Sequence, residues 1–256
     1  MRAGVLPLAG TEAGRVELSV GAGGDTTMEV DRVAEAVVFA ELERLAERGE
    51  RFSVLSEEAG HRSFGAEYPL VLVDPVDGSL NAKQGLPLFG LMLALLDGPA
   101  VADTHAGLVL NLNTDEEWTG IRKQGAWRAG RRLEVLPRSG GARIQLLGLE
   151  STPRALALAG ALVERSSKIR ILGSMALALA HTASGSLDVF CAPIPVRMFD
   201  TAASLLLIRE AGGVATDMKG GSIDQLLCTL DSRSTLLCAP SSELHAEALR
   251  ILGGRA

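Results

Sequence analysis

The chain has 256 residues, 47% of them hydrophobic and 22% charged, with 25 Lys and Arg against 31 Asp and Glu for a net charge of −6. That is ample material for one large domain or two closely joined ones, and it argues against disorder. The acidic balance disfavours a nucleic-acid partner and, taken by itself, a phosphate-bearing one; no apolar run reaches the roughly 18 residues of a membrane helix; and three cysteines argue against a disulfide framework and for a reducing, cytoplasmic compartment.

The Gly-rich first 25 residues contain one strand expectation, at 15–20, and residues 1–10 lack a secretory layout. Residues 29–48 read as a helix, because Val30, Val33, Ala34, Val37, Val38, Leu42 and Leu45 form an apolar face. Strands are expected at 52–55 and at 69–73, the latter apolar enough to be buried on both faces. Further strands are expected at 86–96, 106–112 and 117–122, then a turn at 127–130 leading into 132–136. This first half reads as α+β. The Pro-Arg-Ser-Gly-Gly stretch at 137–141 is the expected linker, dividing the chain into 1–140 and 141–256. Beyond it the elements alternate: strand 144–149, helix 153–163, strand 169–172, helix 174–184, strand 187–191, helix 200–211, strand 235–239 and helix 241–252, an α/β rhythm.

The chemistry is concentrated in Asp74-Pro75-Val76-Asp77-Gly78-Ser79, at the end of the buried strand. Two carboxylates three residues apart suit hard cations such as Mg²⁺, and the Val76 carbonyl between them is a third oxygen. The amides of Gly78 and Ser79 follow at a chain reversal and suit a phosphate. A plain Asp-Pro turn closing a strand is the competing reading. Other acids are ambiguous singly: Glu57 and Glu58 could be a solvated pair, Asp200 a helix N-cap, Asp31 a surface acid. Their convergence would call for one explanation. The cysteines read as core residues, and the four histidines lack ligand spacing.

Together these segments resemble the inositol monophosphatase family. The resemblance is carried by Ser56-Glu57-Glu58-Ala59-Gly60, by the Asp74 to Asn81 segment, by Gly173-Ser174-Met175-Ala176-Leu177 with Ala183-Ser184-Gly185-Ser186-Leu187-Asp188, and by Phe199-Asp200-Thr201-Ala202-Ala203-Ser204 with Glu210-Ala211-Gly212-Gly213. Within the family the chain looks most like archaeal-type enzymes that act on inositol monophosphate and fructose 1,6-bisphosphate. The resemblance implies a layered αβαβα sandwich with two closely packed subdomains, a homodimer, and a small-molecule phosphomonoester substrate. It implies two or three Mg²⁺ per site, or Mn²⁺, held by Glu57, Asp74, the Val76 carbonyl, Asp77 and Asp200. It places the phosphate on Gly78 and Ser79, and water activation on Asp31 with the Ser79 hydroxyl. Arg170, Ser174 and Arg197 are the expected substrate contacts. A relative acting on histidinol phosphate, a 3′-phosphonucleotide or NADP is the alternative, and an inactive scaffold a further one.

The chain departs from the family pattern in having Ser79 for Thr, Phe199 for Trp, Ser204 for Gly, and Pro193 where animal inositol phosphatases have a substrate-binding Glu. There is also no room before Leu6 for the long helix with which members usually begin, so the reading expects a start assigned too late or a shortened enzyme.

Overall fold

The structure is a computed structural model describing residues 1–134 and 143–253. The expected linker at 137–141 lies outside the described residues, as does the end of the expected strand 132–136. The elements are α1 (Arg2–Val5), β1 (Glu17–Val20), β2 (Thr26–Met28), α2 (Glu29–Glu47), β3 (Ser53–Ser56), β4 (Gly60–Ser63), β5 (Leu70–Asp77), α3 (Ser79–Gln84), β6 (Gly90–Leu96), β7 (Thr104–Asn111), β8 (Glu117–Ile121), β9 (Gly125–Arg128) and β10 (Arg131–Arg132). Beyond residue 142 come β11 (Leu146–Leu149), α4 (Gly160–Arg165), β12 (Lys168–Arg170), α5 (Met175–Ala183), β13 (Val189–Arg197), α6 (Ala202–Glu210), β14 (Val214–Thr216), β15 (Arg233–Ala239) and α7 (Ser242–Ile251).

Two sheets carry the fold. The larger runs β10-β9-β8-β7-β6-β5-β3-β4 and is antiparallel except where β3 and β5 pair in parallel. The smaller runs β12-β11-β13-β15-β14, with β12, β11 and β13 parallel and the other pairings antiparallel. The pair β1-β2 stands apart.

Burial sorts the helices into layers. On α2, Val30, Ala34, Val38 and Leu42 recur at fourfold spacing and pack with Val54, Val73 and Val76 of the larger sheet. Helix α5 is apolar all round, with Ala176 to Ala180 at most 3% exposed, as a helix enclosed on every side must be. It joins α6 in a core that includes Leu72 and Met92 from one sheet and Phe190 and Leu236 from the other. On the far face of the smaller sheet, Leu162 of α4 and Leu244 and Leu249 of α7 meet Leu147, Val189 and Leu237. The stacking is helix, sheet, helix, sheet, helix: the expected αβαβα sandwich. The central core draws on both halves of the chain.

Several elements differ from expectation. The helix expected at 153–163 is a 3₁₀ segment over Leu156–Ala159 that passes directly into α4 at Gly160. The strand expected from residue 86 begins at Gly90, because α3 and its loop take up residues 79–89. Strand β13 runs to Arg197 instead of ending at Cys191. Its Pro193 and Pro195 fall where the register with β15 shifts between Ala192 and Val196, so the residues that cannot donate sit at a bulge. The helix expected from Asp200 starts at Ala202, after a 3₁₀ turn over Phe199–Thr201.

Close packing of α6 on the larger sheet depends on Gly107: a Cβ there would lie 2.9 Å from the Ala203 Cα and 3.0 Å from its carbonyl oxygen. Gly107→Ala is expected to cost about 2 kcal/mol, lowering Tm by roughly 4–8 °C. Gly160→Ala, whose Cβ meets nothing within 4 Å, should be neutral or stabilising by about 0.5 kcal/mol in a melting measurement. His181 supplies a pH test. Its ring packs edge-on to Trp118, with centroids 5.1 Å apart, and burial together with the nearby Arg128 charge holds its pKa below the usual imidazole value. The unfolded chain therefore takes up this proton first, so stability is full above about pH 6.5 and is lost as pH falls below it. The Tm advantage of the wild type over His181→Gln should shrink between about pH 7.5 and 5.5; a constant difference would contradict the assignment.

Candidate active site

The site begins with a register fault. Along a regular strand, residues three apart point to opposite faces. On β5, however, Asp74 faces Met92 and Asp77 faces Gly90, so three steps on β5 match two on β6. The extra residue is a bulge, and it turns Asp77 onto the same face as Asp74. Pro75 sits inside it, where a missing N–H costs no ladder bond. The Val76 amide donates to Asp74 Oδ1 at 3.1 Å, bracing the bulge. Gly78 then reverses the chain with φ of 90°; a Cβ there would lie 3.0 Å from the carbonyls of Gly173 and Leu88. Only glycine meets both demands.

Parallel pairing of β3 with β5 places Ser56 beside Val73, so Glu57 and Asp74 leave the sheet side by side, with the Glu57 amide 3.2 Å from the Val73 carbonyl. From the other sheet, the turn after β13 brings in Asp200. One carboxylate oxygen from each of Glu57, Asp74 and Asp200 lies within 4.8 Å of the others. Asp77 lies against a different neighbour: its oxygens accept from the Ser174 hydroxyl, the Met175 amide (3.2 Å) and the Ala176 amide (2.8 Å) at the start of α5.

These acids are strained by burial and by one another. Burial, then the charges of Glu57, Asp77 and Asp200, hold the Asp74 carboxyl well above the usual range. Burial and the charge of Asp200 push Glu57 up to about 7, against the pull of Arg197. Asp77 is pushed up to about 6 by burial, opposed by the donors of α5, and Asp200 to about 6 by burial, opposed by Arg197. The Asp200 Oδ1 atom is buried without a hydrogen-bond partner. An orphaned carboxylate oxygen beside two further carboxylates, in a donor set made only of oxygen, fits a hard divalent cation.

The remaining expected residues divide. Asp31 is 1% exposed on the inner face of α2, where Oδ2 accepts from the Met28 amide at 2.9 Å and Oδ1 is buried without a partner. Burial pushes its pKa up to about 6, and the nearby Ser79 hydroxyl opposes this. The Ser79 hydroxyl itself donates to the Val76 carbonyl at 2.9 Å, so Asp31, Val76 and Ser79 are neighbours. Ser174 is buried, donates to Asp77 and caps α5 through the Leu177 amide, an orienting role and not an exposed contact. Arg197 lines a cavity of about 590 Å³ with Asp77 and Asp200. Arg170 is not among the residues lining it; it is exposed on the edge strand β12, donating to the Ile169 carbonyl.

Three charged residues of the cavity escaped the sequence reading: Asp25, Glu150 and Arg233. Arg233 arrives only through long-range pairing, opposite Arg197 across β13 and β15. Glu150 directly follows β11, and a carboxylate at the carboxyl end of a parallel strand is a signal that could have found it. Asp25 sits in a glycine-rich loop with no pattern to mark it. Pro193 is buried in the bulged part of β13.

Comparison with known proteins agrees with this geometry. The model of the inositol monophosphatase family matches residues 8–253. The chain is 33% identical over 266 residues to a fructose-1,6-bisphosphatase/inositol-1-monophosphatase of Methanothermobacter thermautotrophicus, covering 97% of this chain and 91% of that one. It is 30% identical to human inositol monophosphatase 2 over 92% of this chain and 83% of the relative. Among solved structures, the Thermotoga maritima IMPase superposes with a TM-score of 0.78 at 25% identity, covering 99% and 93% of the two chains. A solved inositol monophosphatase-fructose 1,6-bisphosphatase shares the fold with a TM-score of 0.83 over 98% and 94%. From the convergence of its acids, the layering of its sheets and these matches, the chain belongs to the inositol monophosphatase family.

Proposed function

We propose that the protein is a Mg²⁺-dependent phosphomonoesterase that hydrolyses a small sugar or inositol phosphate, inositol 1-phosphate or fructose 1,6-bisphosphate being the substrates its relatives' names indicate. The observation that carries this reading is the meeting of Glu57, Asp74 and Asp200, from two different sheets, with oxygens within 4.8 Å. Glu57, Asp74, the Val76 carbonyl, Asp77 and Asp200 would hold the cations, which when bound neutralise phosphate charge, favour ionisation of water and stabilise a leaving oxygen. Two or three Mg²⁺, or Mn²⁺, suit the number of oxygens.

The chain's own groups do the rest. The amides of Gly78 and Ser79 bind phosphate oxygens. Asp31 Oδ1, buried and unbonded, accepts a proton from the attacking water, and Ser79 Oγ orients that water. No side-chain nucleophile is needed: phosphoryl transfer rests on positioning and charge stabilisation. The thiols fit no such role, since burial pushes Cys191 and Cys228 up to about 12. We further read the protein as a cytoplasmic homodimer without nucleic-acid or membrane partners; among the described residues no helix is long and apolar enough to cross a membrane.

Phosphate release from inositol 1-phosphate and fructose 1,6-bisphosphate with Mg²⁺ tests the reading. Asp74→Asn and Asp200→Asn should each lower kcat/KM by about a thousandfold or more, roughly 4 kcal/mol of transition-state stabilisation. Equal activity in these variants would sink the metal assignment. Hydrolysis of histidinol phosphate, a 3′-phosphonucleotide or NADP in place of both substrates would move the substrate while keeping the chemistry.

Removing the metal gives a second expectation. Mg²⁺ at about a hundred times its Kd should stabilise the wild type by about 2.7 kcal/mol, a Tm rise of roughly 5–10 °C that a chelator reverses and Asp74→Asn abolishes. A Tm indifferent to Mg²⁺ and Mn²⁺ would count against the site.

A further inference from the structure

The Arg197 guanidinium makes a set of bonds that the reading above leaves unexplained. Its Nη2 donates to Glu57 Oε1, its Nε to Asp200 Oδ2 at 2.9 Å, and its Nη1 to the Gly23 carbonyl at 3.3 Å with Asp25 Oδ2 at 3.1 Å. The side chain is 12% exposed, and those of Glu57 and Asp200 are 11% and 14% exposed. The loop is moulded to it: a Cβ on Gly23 would lie 2.7 Å from Nη1 and 2.9 Å from the Glu57 Cγ. A substrate-binding arginine should keep donors free for the ligand. Here all three nitrogens are committed to protein oxygens, and two of the four partner residues, Glu57 and Asp200, belong to the acid cluster.

The division of oxygens matters. Arg197 takes one oxygen of Asp200, Oδ2, while Oδ1 remains buried without a hydrogen bond. Glu57 and Asp200 come from different sheets, so no backbone register holds one relative to the other, and a planar guanidinium with fixed donors does so directly. We propose that Arg197 is a positioning residue of the metal site: it locks one oxygen of Glu57 and one of Asp200 from opposite sheets, leaving the rest of each carboxylate to bind the cation. This rests on the metal-dependent reading above. Arg197 stays in place on loading, and it acts on metal affinity, not on substrate binding.

The test uses the full chain, Mn²⁺ as a paramagnetic probe for Kd, and the variants Arg197→Gln and Arg197→Lys. Lysine keeps the charge but is a point donor that cannot span both acids. Both variants should weaken Mn²⁺ binding by about tenfold or more, the usual scale for losing a group that orients a ligand. At saturating Mg²⁺, the KM for inositol 1-phosphate should stay within about twofold of wild type, since the fault lies in metal affinity. Tighter Mn²⁺ binding in Arg197→Gln would show that the guanidinium merely repels the ion, and wild-type affinity in Arg197→Lys would show that charge alone matters; either overturns the proposal. So would a raised KM with unchanged Mn²⁺ affinity, which would make Arg197 a substrate contact. A wild type that binds no Mn²⁺ would instead bring down the metal reading beneath it.

One measurement needs no variant to fold. Phenylglyoxal labelling of wild-type Arg197, read by peptide mass, should stay low with and without Mg²⁺. Labelling that rises when Mg²⁺ is added would mean the cation displaces the guanidinium, and would overturn the proposal.

Discussion

Four carboxylates, Glu57, Asp74, Asp77 and Asp200, lie within reach of one another's charge, and most of the local structure serves to keep them there. Buried like charges in a low-dielectric setting repel strongly, and each escapes by taking a proton unless something else offsets its charge. Three kinds of group supply the offset. Arg197 takes Glu57 and Asp200. The start of α5 takes Asp77 with two amides and a hydroxyl. Asp74, the most deeply enclosed of the three clustered acids, accepts from the Val76 amide within its own turn, and the unbonded Asp200 Oδ1 lies with it in the cluster. The region of Asp74 is therefore where a cation has most to contribute.

The scaffold explains how acids so far apart in sequence meet. The carboxyl ends of β3 and β5 are adjacent because those strands pair in parallel, the one such pairing in the larger sheet among the described residues. The bulge at Pro75 adds Asp77 to the same face. Asp200 comes from across the sandwich, through packing of α5 and α6 between the sheets, which small residues such as Gly107 and Ala203 permit. Damage to that packing would move Asp200 away from Asp74 without touching either residue.

Much of this was legible in the sequence. The buried strand ending in Asp74 and the apolar face of the helix holding Asp31 follow from side-chain periodicity, and the resemblance carried Glu57 and Asp200 into the same neighbourhood. What escaped depends on tertiary context. The bulge needs β6 as a ruler before its extra residue shows. Strand β13 hides behind two prolines that ordinarily end strands. Arg233 meets Arg197 only through pairing across 36 positions of chain, and Arg170 was expected at the cavity from sequence proximity to Ser174 although β12 is an edge strand. The net charge of −6 also reads differently once the acids are placed. A whole-chain sum disfavours a phosphate ligand, yet three of the negative charges (Glu57, Asp74 and Asp200) meet in one cluster, and the proposed function adds Asp31 and Asp77 to the same site, where bound cations would invert the local sign.

Glu57, Asp74 and Asp200 are proposed to form a divalent-cation site joining the two sheets. Anomalous diffraction from crystals grown with Mn²⁺ addresses it most directly. A strong anomalous peak is expected within coordination distance of oxygens from all three carboxylates, with the Arg197 guanidinium still bonded to Glu57 and Asp200. An ordered cluster without a peak, or a peak only at other acids, would contradict it.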